Sequence, residues 1–195
     1  MFIQVIQAKT SKRDEVRALT EEWGELPNEG SGFLGGTYGI TDDGDFFGVV
    51  RFESRDLARA NSERPETDAM AKRMAELMDG PPQFHDCDDV TVWGDGGSDD
   101  AGFVQIIQGR TDDAERLKEV MSADDEGEMR AQRPDIIGGT FGLKADGSFV
   151  NTIAFTDEAS AREGEASSSG PPEEMVSLMS DLTFYDLRDP WFVSA

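Results

Sequence analysis

Few residues in this sequence have the type and setting that chemistry needs. Two otherwise apolar segments, FIQVIQAKT at 2–10 and FVQIIQGRT at 103–111, each carry a pair of glutamines: Gln4 and Gln7, Gln105 and Gln108. A buried amide requires hydrogen-bond partners. Each glutamine therefore either contacts a bound molecule or bonds within the fold. In an extended strand the two members of a pair point to opposite faces. His85 is the only histidine and follows Phe84. It is either an acid/base in a pocket or a strand residue satisfied by a neighbour. Asn61, in the run A-N-S-E-R-P, either points into a pocket mouth or ends a helical turn. Trp23, Met70, Met74 and Met78 read as core, and Trp23 is also the aromatic candidate for a pocket wall.

Other patterns exclude chemistries. One histidine and one cysteine, Cys87, cannot build a His- or Cys-based metal cluster, and no metal site is expected. Gly30-Ser31-Gly32-Phe33-Leu34-Gly35 has the spacing of a dinucleotide fingerprint, but it precedes a strand pattern instead of opening a helix. The second half carries Arg133-Pro134-Asp135 in its place. Asp42-Asp43-Gly44-Asp45 lacks the spacing and terminal Glu of a calcium loop and reads as a turn. No Ser/His/Asp or Cys/His arrangement stands out.

The elements that position these residues occur twice. Phe2, Gln4, Ile6, Gln7 and Thr10 recur as Phe103, Gln105, Ile107, Gln108 and Thr111. The stretch at 33–52 aligns without a gap on 136–155, and F-H-D-C-D-D at 84–89 aligns on F-Y-D-L-R-D at 184–189. His85 then corresponds to Tyr185, and Asn61 to Gly164. Three blocks in one order define an internal duplication. It divides the chain into a repeat at 1–93, an acidic Gly-rich linker at 94–102 and a repeat at 103–195.

Within the first repeat, 2–8, 33–40, 45–53 and 83–92 read as strands, the middle two joined at Asp43-Gly44. Residues 12–26 place Val16, Leu19, Trp23 and Leu26 at helical spacing, with Ser11 as N-cap. Residues 55–63 and 66–79 are helical on either side of Pro65. The order βαββαβ predicts an α+β fold, with a four-stranded antiparallel sheet carrying both helices on one face. Apolar residues at both parities of 2–8 predict that the other face is buried as well. The second repeat is expected to supply the covering sheet.

Net charge is −23, from 41 acidic and 18 basic residues, and only five of the basic ones are lysines. Such a surface repels phosphate backbones and anionic lipid, so neither nucleic acid nor membrane is an expected partner. The lone cysteine permits no internal disulfide, and no apolar run approaches the roughly 18 residues that span a bilayer. A cytoplasmic location is expected.

These residues and their order resemble the dimeric α/β-barrel superfamily, and within it the antibiotic-biosynthesis-monooxygenase-like proteins. The resemblance implies two ferredoxin-like units paired sheet to sheet, here fused in one chain as an intramolecular barrel. It also implies a pocket between sheet and helices in each unit. Members include cofactor-free oxygenases of aromatic polyketides, haem-degrading enzymes, haem-dependent peroxidases and small isomerases. In the haem-degrading group an amide late on the first strand faces the pocket, a place held here by Gln7 and repeated as Gln108. Where that group carries an aromatic or His in the second helix, this chain has Asn61.

The expected function is therefore binding of a small apolar or aromatic molecule, as a cofactor-independent monooxygenase-like enzyme. A non-catalytic ligand-binding or stress-related protein and a haem binder are the alternatives. The candidate pocket residues are Gln7, Trp23, Asn61, His85, Gln108 and Tyr185, and no cofactor is expected.

Overall fold

The computed structural model describes residues 1–94, 96, 99–123, 131–167 and 173–195. In the first half the elements are β1 (Phe2–Lys9), α1 (Arg13–Gly24), β2 (Phe33–Ile40), β3 (Asp45–Phe52), α2 (Arg55–Ser62), α3 (Pro65–Leu77), β4 (Gln83–Cys87) and β5 (Asp89–Gly94). In the second they are β6 (Phe103–Arg110), α4 (Ala114–Ala123), β7 (Ile136–Leu143), β8 (Ser148–Phe155), α5 (Glu158–Ala166), α6 (Glu173–Ser177), β9 (Ser180–Leu187) and β10 (Trp191–Val193).

The molecule is an α+β tandem of ferredoxin-like units, each with an antiparallel sheet. The first sheet has strand order β10-β2-β3-β1-β4 and the second β5-β7-β8-β6-β9. The expected four-stranded core is present in both, and each sheet has one strand more. The stretch 83–92 is not one strand. It divides at Asp88, so that β4 pairs with β1 while β5 pairs with β7. In the same way β9 pairs with β6 and the three-residue β10 pairs with β2. Both pieces are β-rich, and pattern alone does not show that they serve different sheets. The compact units are accordingly Met1–Asp88 with Asp189–Ala195, and Asp89–Arg188. Of residues 94–102, positions 95, 97 and 98 lie outside the described residues. Gly94 ends β5, and Ala101 is buried.

Local chemistry accounts for the repeated signatures. Gly44 and Gly147 have φ of +84° and +81°, which glycine adopts without steric cost. Each hairpin tip is tied to the end of the preceding first strand, with Thr10 N donating to Gly44 O and Thr111 N to Gly147 O, both at 2.9 Å. The Thr and Asp-Gly repeats are thus two ends of one contact. Ser54 Oγ caps α2 by accepting from Leu57 N at 3.3 Å, and Pro65 occupies the first turn of α3. Ser11, expected to cap α1, does not do so. The N-cap position is Lys12, and Ser11 Oγ donates to Asp79 Oδ1 at 3.1 Å instead.

Both faces of β1 are protected. Ala8 packs in a cluster with Val16, Ile40, Phe46 and Trp191 on the helix side. Ile3 and Val5, of opposite parity, are 2% and 1% exposed. No helix among the described residues is long and apolar enough to cross a membrane.

Candidate functional site

The first unit encloses a cavity of about 320 Å³ between the helix-facing side of its sheet and α1, α2 and α3. β1 contributes Gln4, Ile6 and Ala8 to its floor, the side chains of one parity. Phe46, Val50 and Phe52 come from β3, and Phe84, which pairs with Ile6 across the sheet, comes from β4. Trp23 of α1, Asn61 and Ser62 of α2, and Met74 of α3 form the roof, and Val193 of β10 closes one wall.

Two glycines set the depth of the floor. A Cβ added at Gly36 would collide with the Tyr38 hydroxyl, and one at Gly48 would stand 3.1 Å from the Tyr38 ring. The phenol therefore lies along the sheet over these two positions. It stacks on Phe46 at 6.5 Å between centroids and on Trp191 at 6.2 Å. Burial pushes its pKa up to about 12, against a smaller opposing effect of the Arg51 charge. At neutral pH Tyr38 is a neutral phenol, able to donate a hydrogen bond into an otherwise apolar space.

The amide on the floor is held at its back. Gln4 Nε2 donates to Asp86 Oδ1 at 3.0 Å, and Arg55 Nη1 donates to Asp86 Oδ2 at 3.0 Å. Arg55 also lies over the Phe2 ring at 4.7 Å and pairs with Asp88, whose carboxyl it holds below the ordinary value. Two other polar wall groups are engaged within the unit. Thr20 Oγ1 donates to Val16 O at 2.8 Å, and Ser62 Oγ donates to Arg59 O at 2.7 Å. Arg64, Glu66 and Asp68 also line the cavity, and Glu66 and Asp68 are exposed.

Of the residues singled out from sequence, Trp23 and Asn61 stand on this wall. Gln7 and His85 do not. Gln7 has the opposite parity to Gln4, Ile6 and Ala8, and His85 pairs with Val5, so both belong to the other face of the sheet. Gln108 and Tyr185 hold the same positions in the second sheet, where Tyr185 pairs with Ile106. Sequence reading noted Gln4 but left it out of the candidate pocket, and it passed over Tyr38 and the phenylalanines of β3. The signal for Gln4 was present in the alternation of Gln4, Ile6 and Ala8. Tyr38 carried none, because its role depends on glycines at 36 and 48.

The equivalent region of the second unit is packed differently. Gly109, the counterpart of Ala8, lies under Leu182 and Phe149: a Cβ there would stand 2.7 Å and 2.6 Å from them. Phe141 replaces Tyr38 and packs against Phe149 with ring centroids 5.1 Å apart and the planes tilted by 34°. Gly164, the counterpart of Asn61, backs onto the guanidinium of Arg133, with which an added Cβ would collide. Arg133 is fixed there by two bonds to Asp135, Nε to Oδ1 at 2.9 Å and Nη2 to Oδ2 at 2.7 Å. These two residues stand where the first unit has Gly30 and Gly32. Gln105, the counterpart of Gln4, donates to Asp186 at 3.1 Å and to Glu165 at 3.4 Å. Among the described residues, no group of three or more His, Cys, Asp or Glu side chains is placed to hold a metal ion.

No family model and no curated protein matches the chain. Solved structures match its whole length. A proposed monooxygenase from Lactobacillus acidophilus NCFM superposes with a TM-score of 0.75 at 11% identity, covering 100% of this chain and 97% of that one. An anthrone oxidase-like protein gives 0.62 at 10% identity, covering 100% and 94%. A haem-binding protein from Thermus thermophilus gives 0.56 at 12% identity, covering 95% and 90%. At these identities the likeness is one of fold. The chain shares its tandem ferredoxin-like α+β fold with these structures.

Proposed function

We propose that the first unit binds a small, flat, uncharged aromatic molecule, and that the protein is a cofactor-independent monooxygenase-like enzyme acting on it. The observation that carries this reading is the cavity. It measures about 320 Å³, at the small end of ligand sites, and it is lined by Trp23, Phe33, Tyr38, Phe46, Phe52 and Phe84. Ring faces favour offset or edge-on contact with a second aromatic system. Gln4, Asn61 and the Tyr38 phenol are neutral polar groups that can orient such a molecule, and of the charged residues in the lining Glu66 and Asp68 are exposed.

An aromatic ketone with an acidic CH2, such as anthrone, suits the chemistry. Loss of a proton from that carbon leaves an electron-rich anion that reduces dioxygen itself. The carbon becomes a carbonyl, and the second oxygen atom leaves as water. The protein's part is to bind, orient and shield from water. The fold neighbour described as anthrone oxidase-like supports the choice of test compound. The test is oxygen uptake with anthrone. Catalysed conversion to anthraquinone, lost in Asn61→Ala and Tyr38→Phe, supports the enzyme. Saturable binding without turnover supports the non-catalytic binder.

Haem is the competing ligand, prompted by the Thermus thermophilus neighbour. The cavity is small for a tetrapyrrole, and neither His85 nor Cys87 stands on its wall. A haem titration followed by absorbance separates the two: a stoichiometric Soret shift would favour haem over the flat aromatic.

A further inference from the structure

We propose that Gln4 sets the specificity of the cavity, with Asp86 as its positioning residue, and that the ligand is a hydroxylated aromatic rather than a plain one. This rests on the aromatic-binding reading above. An amide side chain is ambiguous by itself, since its oxygen accepts and its nitrogen donates. Here the ambiguity is removed from outside. Asp86 is a carboxylate, which at neutral pH only accepts, so the group of Gln4 that meets it at 3.0 Å is the NH2. Arg55 donates to the other oxygen of Asp86 and fixes the carboxylate in turn. A flipped amide would set oxygen against oxygen. The Gln4 carbonyl oxygen, an acceptor, is therefore left for the cavity that Gln4 lines. An acceptor in a mostly apolar floor is best matched by a ligand O–H.

The duplicate supplies a control. Gln105 uses its amide nitrogen twice, toward Asp186 and toward Glu165. The position of Glu165 is held in the first unit by Ser62, whose hydroxyl is engaged with Arg59 O. The second amide is thus tied into its own unit by two carboxylates. The first is anchored by one and keeps capacity for a ligand.

The test compares 1-naphthol with 1-methoxynaphthalene, which has the same ring system and oxygen but no donor. Wild-type protein is expected to bind 1-naphthol about tenfold more tightly, the usual worth of one neutral hydrogen bond. In Gln4→Met, which keeps the side-chain volume, that ratio should fall to about one while the affinity for 1-methoxynaphthalene holds. Asp86→Asn keeps Gln4 but lets its amide turn over, and should also shrink the ratio. It carries the test alone should Gln4→Met melt early. An unchanged tenfold ratio in the variants, or equal affinities in the wild type, would overturn the proposal and leave the aromatic cavity standing. Failure of both compounds to bind would remove the cavity reading, and this proposal with it.

Discussion

The guanidinium of Arg133 occupies the space into which a side chain at Gly164 would grow, whereas the corresponding Asn61 of the first unit borders a cavity. The two units share strand order and hairpin ties, yet one keeps a lined space where the other sets an ion pair. Side chains of Arg133 and Asp135 are only 11% and 8% exposed, so each depends on the other for its hydrogen bonds. Arg133→Ala should cost about 2–3 kcal/mol, because it leaves the Asp135 carboxylate buried without its partner. The double change Arg133→Ala/Asp135→Ala should cost less than the single one. Urea denaturation of the three proteins checks both statements.

Tyr38 makes the first unit sensitive to alkali. Its folded pKa, about 12, lies above the ordinary 10.0 because burial disfavours the phenolate. Raised pKa means that its contribution is fully present below pH ~10 and is lost as pH climbs toward ~12, on the order of 2 kcal/mol in all. Tyr38→Phe should remove that part of the alkaline loss while leaving neutral stability nearly unchanged. Thermal melts across this range provide the comparison.

Trp191 is 6% exposed, stacked on Tyr38, with Arg17 over its ring at 5.5 Å. It belongs to the short β10, which pairs with β2 at the edge of the first sheet. Trp191→Ala should destabilise by about 3 kcal/mol and weaken ligand binding together, since it removes a support of the cavity floor. Loss of binding at full stability would mean that the indole contacts the ligand directly.

With a net charge of −23, self-repulsion opposes the compact state. Added sodium chloride screens it, so the melting temperature should rise between dilute buffer and molar salt. A flat or falling curve would show that paired charges, such as Arg17 with Asp189 and Lys118 with Asp89, dominate the surface.

Much of the fold was legible because the signals were local and doubled. Asp-Gly turns, Thr10 and Thr111, the Pro65 break and the two-sided apolar strand each have a direct physical meaning. The fifth strand of each sheet was not legible. The break at Asp88 is one residue long, and β-propensity is the same on both sides of it. The lining of the first-unit cavity was legible only in part. Asn61 and Trp23 stood out by type, but the choice of Gln7 over Gln4 followed the resemblance instead of strand parity. Parity alone puts Gln4 with Ile6 and Ala8. The Arg133–Asp135 pair was visible only as a missing glycine motif, because its meaning depends on what it touches across the unit.

The central claim is that the cavity of the first unit is a binding site for an aromatic molecule. Titration with N-phenyl-1-naphthylamine, a neutral probe that brightens in apolar surroundings, tests it most directly. Ala71 lines the cavity from the exposed side of α3, so Ala71→Trp should fill the space with little cost in stability. The account predicts saturable binding in the first unit that is abolished by Ala71→Trp and untouched by Leu182→Met in the second unit. No binding by the wild type, or binding unchanged by Ala71→Trp, would contradict it.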